Sequence, residues 1–282
     1  KRNGKITGTI LLMLRKHLVI VGSGWAGLKV ARQLKHIPAS ELKITLVSDI
    51  SNFRYSAALY RVATGRRERE AIIPLSEILE DLPNVDFVKA KISKINRKEK
   101  TLTTSAGKKI HYDYTVIALG VVTTYFGIPG LEKWSYSIKT AGELRQLRTH
   151  LHQELINDNA PDKNYVVVGG GPTGVELAAA LTSYMKAVTK RHGLAKKRIT
   201  VDLIEAAPRV LPSGSISASE KTQARLKKIG VKVLVNQKVE NETDDMLLVS
   251  GKKIPTHTVI WTAGVTNNPF FKDNSSQFEL SP

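Results

Sequence analysis

The chain of 282 residues contains no cysteine. It therefore has no disulfide framework, no thiolate metal site and no redox-active cysteine pair, so redox chemistry must come from bound cofactors. The sequence also lacks a long hydrophobic run. The stretch Ile10–Val21 is interrupted by Arg15, Lys16 and His17, which makes it too short and too charged to cross a bilayer. It does not resemble a cleavable signal either, because it leads directly into a glycine motif.

Acidic residues are scarce: 25 Asp and Glu face 43 Lys and Arg, and the net charge is +18. Such a balance suggests an anionic partner. Aromatic residues make up only 6% of the chain and are not interleaved with the basic patches as single-strand binding requires. No helix-turn-helix or zinc-finger pattern occurs. We therefore expect no nucleic-acid partner. Solvated lysines are the simplest explanation of the charge, and an anionic membrane surface is the second.

A glycine motif of the form G-x-G-x-x-G is present twice. One copy, Gly22–Gly27, follows the apolar run Leu18–Val21, and the other, Gly169–Gly174, follows Tyr165–Val168. About 80 residues after each copy comes a Gly-Lys-Lys-Ile turn, and then an apolar run that ends in a glycine 13 positions after the turn glycine. Two copies in register predict a duplicated dinucleotide-binding domain. A protein with two such sites most simply passes electrons from one to the other.

Each glycine of the motif has a physical task. The first permits the tight strand-to-helix turn, the second lets the backbone approach a pyrophosphate, and the third lets the helix pack close to the sheet. The pyrophosphate then lies on the helix N-terminus, where free N–H groups favour negative charge. A ribose-binding acid is expected at the end of the next strand. Glu205 has that position in the second copy, whereas the first copy has Ser48 there and Asp49 one residue later.

Apolar periodicity predicts alternating strands and helices, and therefore an α/β fold with two Rossmann-like dinucleotide-binding domains. Between them, a linking helix is expected over about 141–156, with Thr140 as its N-cap and Glu143 completing a capping box. The other predicted helices are 25–34, 175–188 and 220–228. The predicted strands are 18–21, 42–47, 85–95, 101–104, 115–119, 165–168, 199–204, 231–235, 246–249 and 258–262.

Four segments resemble the type II, single-subunit NADH dehydrogenases among the flavoprotein pyridine-nucleotide oxidoreductases: Ala58–Gly65, Val168–Ala178, Glu205–Pro212 and Val259–Val265. The resemblance implies FAD in the first domain and NADH in the second, with the NAD domain inserted into the FAD domain. The expected FAD-binding domain covers 13–160, the NAD(H)-binding domain covers 161–267, and 268–282 begin the return to the FAD domain. Residues 1–12 precede Met13, and we expect them not to belong to the fold.

By the same resemblance, a hydride passes from NADH to FAD and the electrons then reach a quinone. Glu176 is the predicted catalytic residue, placed in the first turn of the second nucleotide helix as a proton relay or nicotinamide contact. No metal site is expected. The predicted FAD-binding residues are Gly22, Gly24, Trp25, Ala26, Gly27, Ser48, Asp49, Ile92, Ala118, Leu119 and Gly120, and the predicted NADH-binding residues are Gly169, Gly171, Pro172, Thr173, Gly174, Glu205, Ala263 and Gly264.

Three features depart from that family. Ser48 replaces the usual acid, Ala57 replaces a usual proline, and the chain stops at Pro282, before the family's later Gly-Asp motif, quinone-site segment and C-terminal membrane-associating helices. We therefore expect a C-terminally truncated piece of a longer protein. The resemblance places that protein in the cytoplasm, peripheral on the inner face of the cell membrane, with a homodimer formed through the missing region.

Other functions fit part of this pattern. A disulfide reductase needs a cysteine pair and is excluded. A ferredoxin or rubredoxin reductase, or an NADH oxidase like apoptosis-inducing factor, shares both nucleotide folds. A non-catalytic nucleotide-binding redox sensor is an alternative of a different class.

Overall fold

The computed structural model of the chain describes residues 15–156, 164–193 and 199–279. Contacts divide these residues into two compact units. The first unit comprises 15–53, 74–120 and 268–279, and the second comprises the described residues of 54–73 and 121–267. The predicted leader, 1–12, lies outside the described residues.

Strands and helices alternate along the chain as the periodicity predicts. The strands are β1 Lys16–Val21, β2 Leu42–Ser48, β3 Asn52–Arg54, β4 Ile72–Pro74, β5 Val85–Lys89, β6 Ile92–Asn96, β7 Thr101–Thr104, β8 Lys109–His111, β9 Tyr114–Ile117, β10 Val121–Thr123, β11 Asn164–Val168, β12 Thr200–Ile204, β13 Val231–Leu234, β14 Val239–Glu242, β15 Met246–Val249, β16 Lys252–Pro255, β17 Thr258–Trp261 and β18 Val265–Asn267. The α-helices are α1 Trp25–Gln33, α2 Leu59–Ala63, α3 Leu75–Leu79, α4 Leu131–Trp134, α5 Ala141–Ile156, α6 Pro172–Arg191, α7 Ile216–Ile229 and α8 Pro269–Asp273; short 3-10 turns lie at Ser56–Ala58, Glu68–Glu70 and Ser275–Gln277.

The first unit is built on a four-stranded parallel sheet in the order β5-β2-β1-β9. Val21, at the end of β1, is level with Val47 of β2 and Ile117 of β9, so the three strands end together at one edge. A second, antiparallel sheet, β6-β7-β8, shares a hydrophobic core with the parallel sheet, to which α8 contributes Phe270. The strands end where a ligand of an open parallel sheet binds.

The second unit repeats this plan. Its parallel sheet has the order β13-β12-β11-β17, its antiparallel sheet is β14-β15-β16, and β10 pairs with β18 as a separate ribbon. The outer edge of β17 is covered, because the Tyr136 N–H donates to the Val259 carbonyl (2.8 Å) and the Tyr136 carbonyl accepts from the Trp261 N–H (2.8 Å). The two sheets in matching order, and the return of 268–279 to the first unit, confirm the predicted α/β class with one dinucleotide-binding domain inserted into the other.

Helix α5 packs with the second unit, although the predicted boundary between 160 and 161 placed it with the first domain. The buried leucines of α5 recur at a spacing of three and four residues and enter the same core as Tyr165 and Leu177; they are Leu144, Leu147, Leu151 and Leu155. A helix follows the core that its apolar face enters. The predicted capping box is confirmed, since Glu143 Oε2 accepts the Thr140 amide (2.7 Å) and Thr140 Oγ1 accepts the Glu143 amide (3.2 Å).

Several predicted elements differ in extent, and α7 begins at Ile216, four residues before the predicted start. The single strand expected over 85–95 is two strands, β5 and β6, because the chain passes from the parallel sheet to the antiparallel sheet at residues 90–91. Helix α6 begins at Pro172, three residues before the predicted start, since proline is favoured in the first turn. No helix in the described parts of the chain is both long enough and apolar enough to span a membrane.

Glu242 is a buried carboxylate in the second unit. The register of β14 and β15 pairs it with Leu247, so the two side chains share the core-facing side of that sheet. Only 5% of Glu242 is exposed, and its Oε2 atom has no hydrogen-bond partner among the described residues. Burial raises the pKa of Glu242 to about 8, because an apolar surrounding disfavours the charged form. The folded unit therefore holds a proton that the unfolded chain releases near pH 4.5.

This carboxylate makes stability depend on pH. Because the folded pKa lies above the unfolded one, the destabilisation is absent below about pH 4.5, grows as the pH rises and is complete above about pH 8. We expect Glu242→Gln to raise the free energy of unfolding by on the order of 2 to 4 kcal/mol at pH 8.5 and by almost nothing at pH 4. Denaturant melts at both pH values test this, with the exposed Glu220→Gln as control. An equal gain at both pH values would contradict a buried, protonated Glu242.

Candidate dinucleotide-binding sites

The two glycine turns are built by the same backbone hydrogen bonds. Gly22 N–H donates to the Val47 carbonyl and Gly169 N–H donates to the Ile204 carbonyl, both at 2.8 Å. Both of these glycines have φ +109°, a left-handed conformation that side chains disfavour. The duplicated motif therefore folds into a duplicated turn at the carboxyl ends of β1 and β11.

The third glycine of each motif brings the helix onto the turn. A Cβ atom at Gly27 would overlap the carbonyl oxygen of Gly22, and one at Gly174 would overlap that of Gly169. Close backbone packing therefore fixes where α1 and α6 begin. The first glycine is equally confined, because Cβ atoms at Gly22 and Gly169 would meet the backbone of Ala118 and Ala263 respectively.

The middle glycines face open space. Nothing lies within 4 Å of a Cβ built on Gly24 or Gly171, and these residues are the N-caps of α1 and α6. Neither N-cap can supply a side-chain acceptor, in contrast to α7, where Ser215 Oγ accepts the Ala218 amide. The first turns of α1 and α6 therefore have no capping side chain from Gly24 or Gly171, and they lie where the dinucleotide motif places a phosphate. The two residues after each N-cap are exposed at the mouth of the turn: Trp25, Ala26, Pro172 and Thr173.

The predicted acid position differs between the copies. Glu205 accepts the Gly170 amide at Oε2 (2.5 Å) and the Ala207 amide at Oε1 (2.7 Å), so its carboxylate is held against the glycine turn. A carboxylate has about four acceptor positions and can still accept ribose hydroxyls. In the first unit, Ser48 is buried and accepts a hydrogen bond from Ser23 Oγ (2.9 Å). The neighbouring Asp49 is exposed.

Arg209 is already engaged within its own loop. Its guanidinium donates to the carbonyls of Leu211 (2.9 Å), Pro212 (2.6 Å) and Gly214 (2.9 Å). The sequence gives no sign of this arrangement, because an arginine four residues after a ribose-binding acid is also where a 2′-phosphate contact would be expected. Binding a 2′-phosphate through Arg209 would require these bonds to break.

The residues after β9 and β17 complete each site. Gly120 has φ +67° and nothing within 4 Å of its Cβ position, whereas Gly264 is buried beneath the ring of Phe126. Ala118 and Leu119 are partly buried and Ala263 is exposed. Thr262 Oγ1, which sequence reasoning did not single out, donates to the Val168 carbonyl (2.8 Å) and joins the ends of β11 and β17.

Two predicted residues are placed differently from expectation. Glu176 is the fifth residue of α6 and not in its first turn, because the helix starts at Pro172; it is exposed. Ile92 is only 4% exposed, and its side chain lies in the core between the two sheets of the first unit. Any ligand contact of Ile92 would involve its backbone. Within the described residues, no group of three histidine, aspartate or glutamate side chains is placed to hold a metal ion.

Two parallel-sheet units, each with a strand, a glycine turn and an uncapped helix start, define an α/β protein with two dinucleotide cradles. A family model described as pyridine nucleotide-disulphide oxidoreductase matches residues 16–281. The chain belongs to this family. The family description names a disulphide, but this sequence contains no cysteine.

Individual relatives agree with this assignment. A type II NADH:quinone oxidoreductase from Staphylococcus saprophyticus is 28% identical over 272 residues, which are 92% of this chain and 67% of the relative. The structure of NDH2 from Plasmodium falciparum in complex with NADH has a TM-score of 0.84 at 22% identity and covers 93% of this chain and 58% of that one; this likeness concerns the fold. A sulfide:quinone oxidoreductase from Aquifex aeolicus has a TM-score of 0.76 at 26% identity, with 92% and 61% covered.

Glycines at two positions of the second turn have separable roles. We expect Gly171→Ala to change the free energy of unfolding by less than about 1 kcal/mol, since its Cβ has room, yet to weaken NADH binding at least about tenfold because the methyl group occupies the space of the pyrophosphate. Gly174→Ala should instead destabilise the protein by roughly 1 to 3 kcal/mol or more, because its Cβ overlaps backbone. Thermal melts and nucleotide titrations on both variants measure this contrast. Equal loss of stability in both would refute it.

Proposed function

We propose that the first unit binds FAD, that the second unit binds NADH, and that the whole protein passes reducing equivalents from NADH through FAD to a quinone. The observation that carries this proposal is the duplicated turn, with an open middle glycine and an uncapped helix start in each copy. The chain spans about two thirds of the length of the Staphylococcus relative, so the activity is proposed for the whole protein that contains it.

The acid position supports the choice of cofactor in the second unit. Glu205, fixed by two backbone amides, can accept from both hydroxyls of an adenosine ribose and would repel a 2′-phosphate. Arg209 cannot offset this repulsion while its guanidinium is bound to three carbonyl oxygens. Both features favour NADH over NADPH in the second unit. The first unit then takes the FAD, although Ser48 stands where that family usually has an acid.

In this proposal the residues of the chain bind the two dinucleotides and orient them. Amides at the starts of α1 and α6 hold the two pyrophosphates, and Glu205 fixes the adenosine end of the nucleotide. When bound, the nicotinamide and the flavin supply the hydride chemistry. Glu176, one turn into α6 and exposed, is proposed to hold a proton or to contact the nicotinamide.

The acceptor is the least constrained part of the proposal. A quinone is favoured because the relatives at 28–29% identity are named type II NADH:quinone oxidoreductases. A location at the inner face of the cell membrane fits both a quinone dissolved in lipid and the net positive charge of the chain. The homodimer stays a prediction. The test is NADH oxidation by the whole protein with a soluble quinone, a ferredoxin and oxygen as acceptors. If ferredoxin or oxygen is reduced fastest, that molecule replaces the quinone as the proposed acceptor. Absence of turnover with all three acceptors would favour a redox sensor.

Glu205 should set the preference between the two nicotinamide cofactors. We expect Glu205→Gln to lower the ratio of kcat/KM for NADH to that for NADPH by about tenfold or more, since the neutral side chain no longer repels a 2′-phosphate. Its single oxygen can also accept only one of the two backbone amides, of Gly170 and Ala207, that the carboxylate accepts. Steady-state kinetics with both cofactors give the ratio, and Glu220→Gln, exposed on α7, is the control. An unchanged ratio would remove Glu205 from this role.

Glu176 should matter for turnover and not for folding. It is exposed and beyond the first turn of α6, so we expect Glu176→Gln to alter the free energy of unfolding by no more than about 0.5 kcal/mol. Its turnover should fall roughly 100-fold if the side chain moves a proton. Flavin content, melting temperature and kcat are compared with those of Glu176→Asp. Lost flavin or lowered stability, with normal turnover per bound flavin, would assign Glu176 a structural role instead.

A further inference from the structure

Phe126 is an exposed aromatic residue in a conformation that phenylalanine rarely adopts. Its side chain is 64% exposed and its φ is +52°. A left-handed backbone strains any residue with a Cβ atom, and such strain persists where the surrounding structure fixes it, often at ligand sites. Both the strained backbone and the exposed ring of Phe126 cost free energy in the second unit when no ligand is bound.

The surrounding hydrogen bonds hold Phe126 in place. Trp261 Nε1 donates to the Thr124 carbonyl (2.8 Å), the Thr124 amide donates to the Gly264 carbonyl (3.2 Å), and the Phe126 amide donates to Thr124 Oγ1 (3.2 Å). The Phe126 ring also meets the Trp261 ring edge to face, with centroids 6.3 Å apart. Its position is therefore set before any ligand arrives, which lowers the entropic cost of binding.

The ring lies against Gly264, directly after the end of β17. A Cβ at Gly264 would come 2.6 Å from Phe126 Cε2, so only glycine allows this cover. The preceding residue, Ala263, packs against Gly169 of the turn. In the first unit the matching Gly120 has nothing within 4 Å of its Cβ position. The aromatic cover is thus a property of the second copy alone among the described residues.

The sheet order tells which end of a dinucleotide Phe126 would meet. A nucleotide in an open parallel sheet crosses the carboxyl ends of the strands at the point where the strand order reverses. Glu205 follows β12, on one side of β11, and Gly264 follows β17, on the other side. Since Glu205 takes the adenosine ribose, the ring of Phe126 lies toward the opposite, nicotinamide end.

We propose that Phe126 is a positioning residue for the nicotinamide half of the nucleotide, which it contacts with its exposed ring. This inference rests on the proposed function, because it requires a nucleotide in the second unit. The contact is apolar and aromatic, and its strength should depend on the presence of the nicotinamide ring and not on the adenosine or the pyrophosphate.

The test compares two ligands that differ only in the nicotinamide. NAD⁺ and ADP-ribose are titrated calorimetrically into the whole, FAD-loaded protein, as wild type and as Phe126→Ala, which keeps the Cβ and hence the backbone strain. We expect the Kd for NAD⁺ to rise roughly 3- to 10-fold and the Kd for ADP-ribose to stay unchanged. Phe126→Tyr, which keeps an aromatic ring, should bind NAD⁺ as the wild type does. Ile216→Ala, which removes an equally exposed apolar side chain from the start of α7, should change neither value.

Other outcomes overturn the inference in distinguishable ways. Equal weakening of both ligands by Phe126→Ala would mean that the ring only supports the Gly264 backbone, and unchanged NAD⁺ binding would mean that it touches no nicotinamide. Should Phe126→Ala fail to fold, Phe126→Leu keeps an apolar cover over Gly264 and is held to the same expectation. Wild-type protein that binds neither ligand would overturn the proposed NADH site itself, and this inference with it.

Discussion

The contact on which both units depend is the approach of a helix backbone to a turn carbonyl. At Gly27 and Gly174 the space for a Cβ atom is taken by the oxygen of the first turn glycine. This approach sets the start of each helix and aims its first amides at the edge where the parallel strands end. A cradle for phosphate therefore follows from backbone packing, and it needs no charged side chain in either unit.

The two copies share this contact but differ in the side chains around it. In the second copy a long acid, Glu205, reaches the turn, and a Cβ at Gly170 would come 2.9 Å from Glu205 Oε2. In the first copy a short Ser48 leaves room for Ser23, and the two hydroxyls bond to each other. The side chain at the end of the second strand and the turn residue that it contacts therefore differ together between the copies, while the turn backbone stays the same.

Much of the fold was predictable because its signals are local. Glycine spacing marks both turns, and alternating apolar runs mark the strands that they join. The remainder depends on contacts between residues far apart in the sequence. The leucines of α5 identify an apolar face but not the core that it enters, and nothing near residues 90–91 marks a change of sheet. The three carbonyl partners of Arg209 and the ring of Phe126 over Gly264 become visible only when loops are placed in space.

The interruption of the first unit constrains the order in which the chain can fold during synthesis. Phe270 and Asn274 complete the first core, with the Asn274 side chain accepting from the Ile95 amide (3.1 Å) and donating to the Ser93 carbonyl (3.0 Å). These residues leave the ribosome only after the entire second unit has emerged. A nascent first unit must therefore wait with part of its apolar surface uncovered, whereas the second unit can close as soon as β18 is made. Slow translation through residues 121–267 would lengthen that exposure and the demand for chaperones.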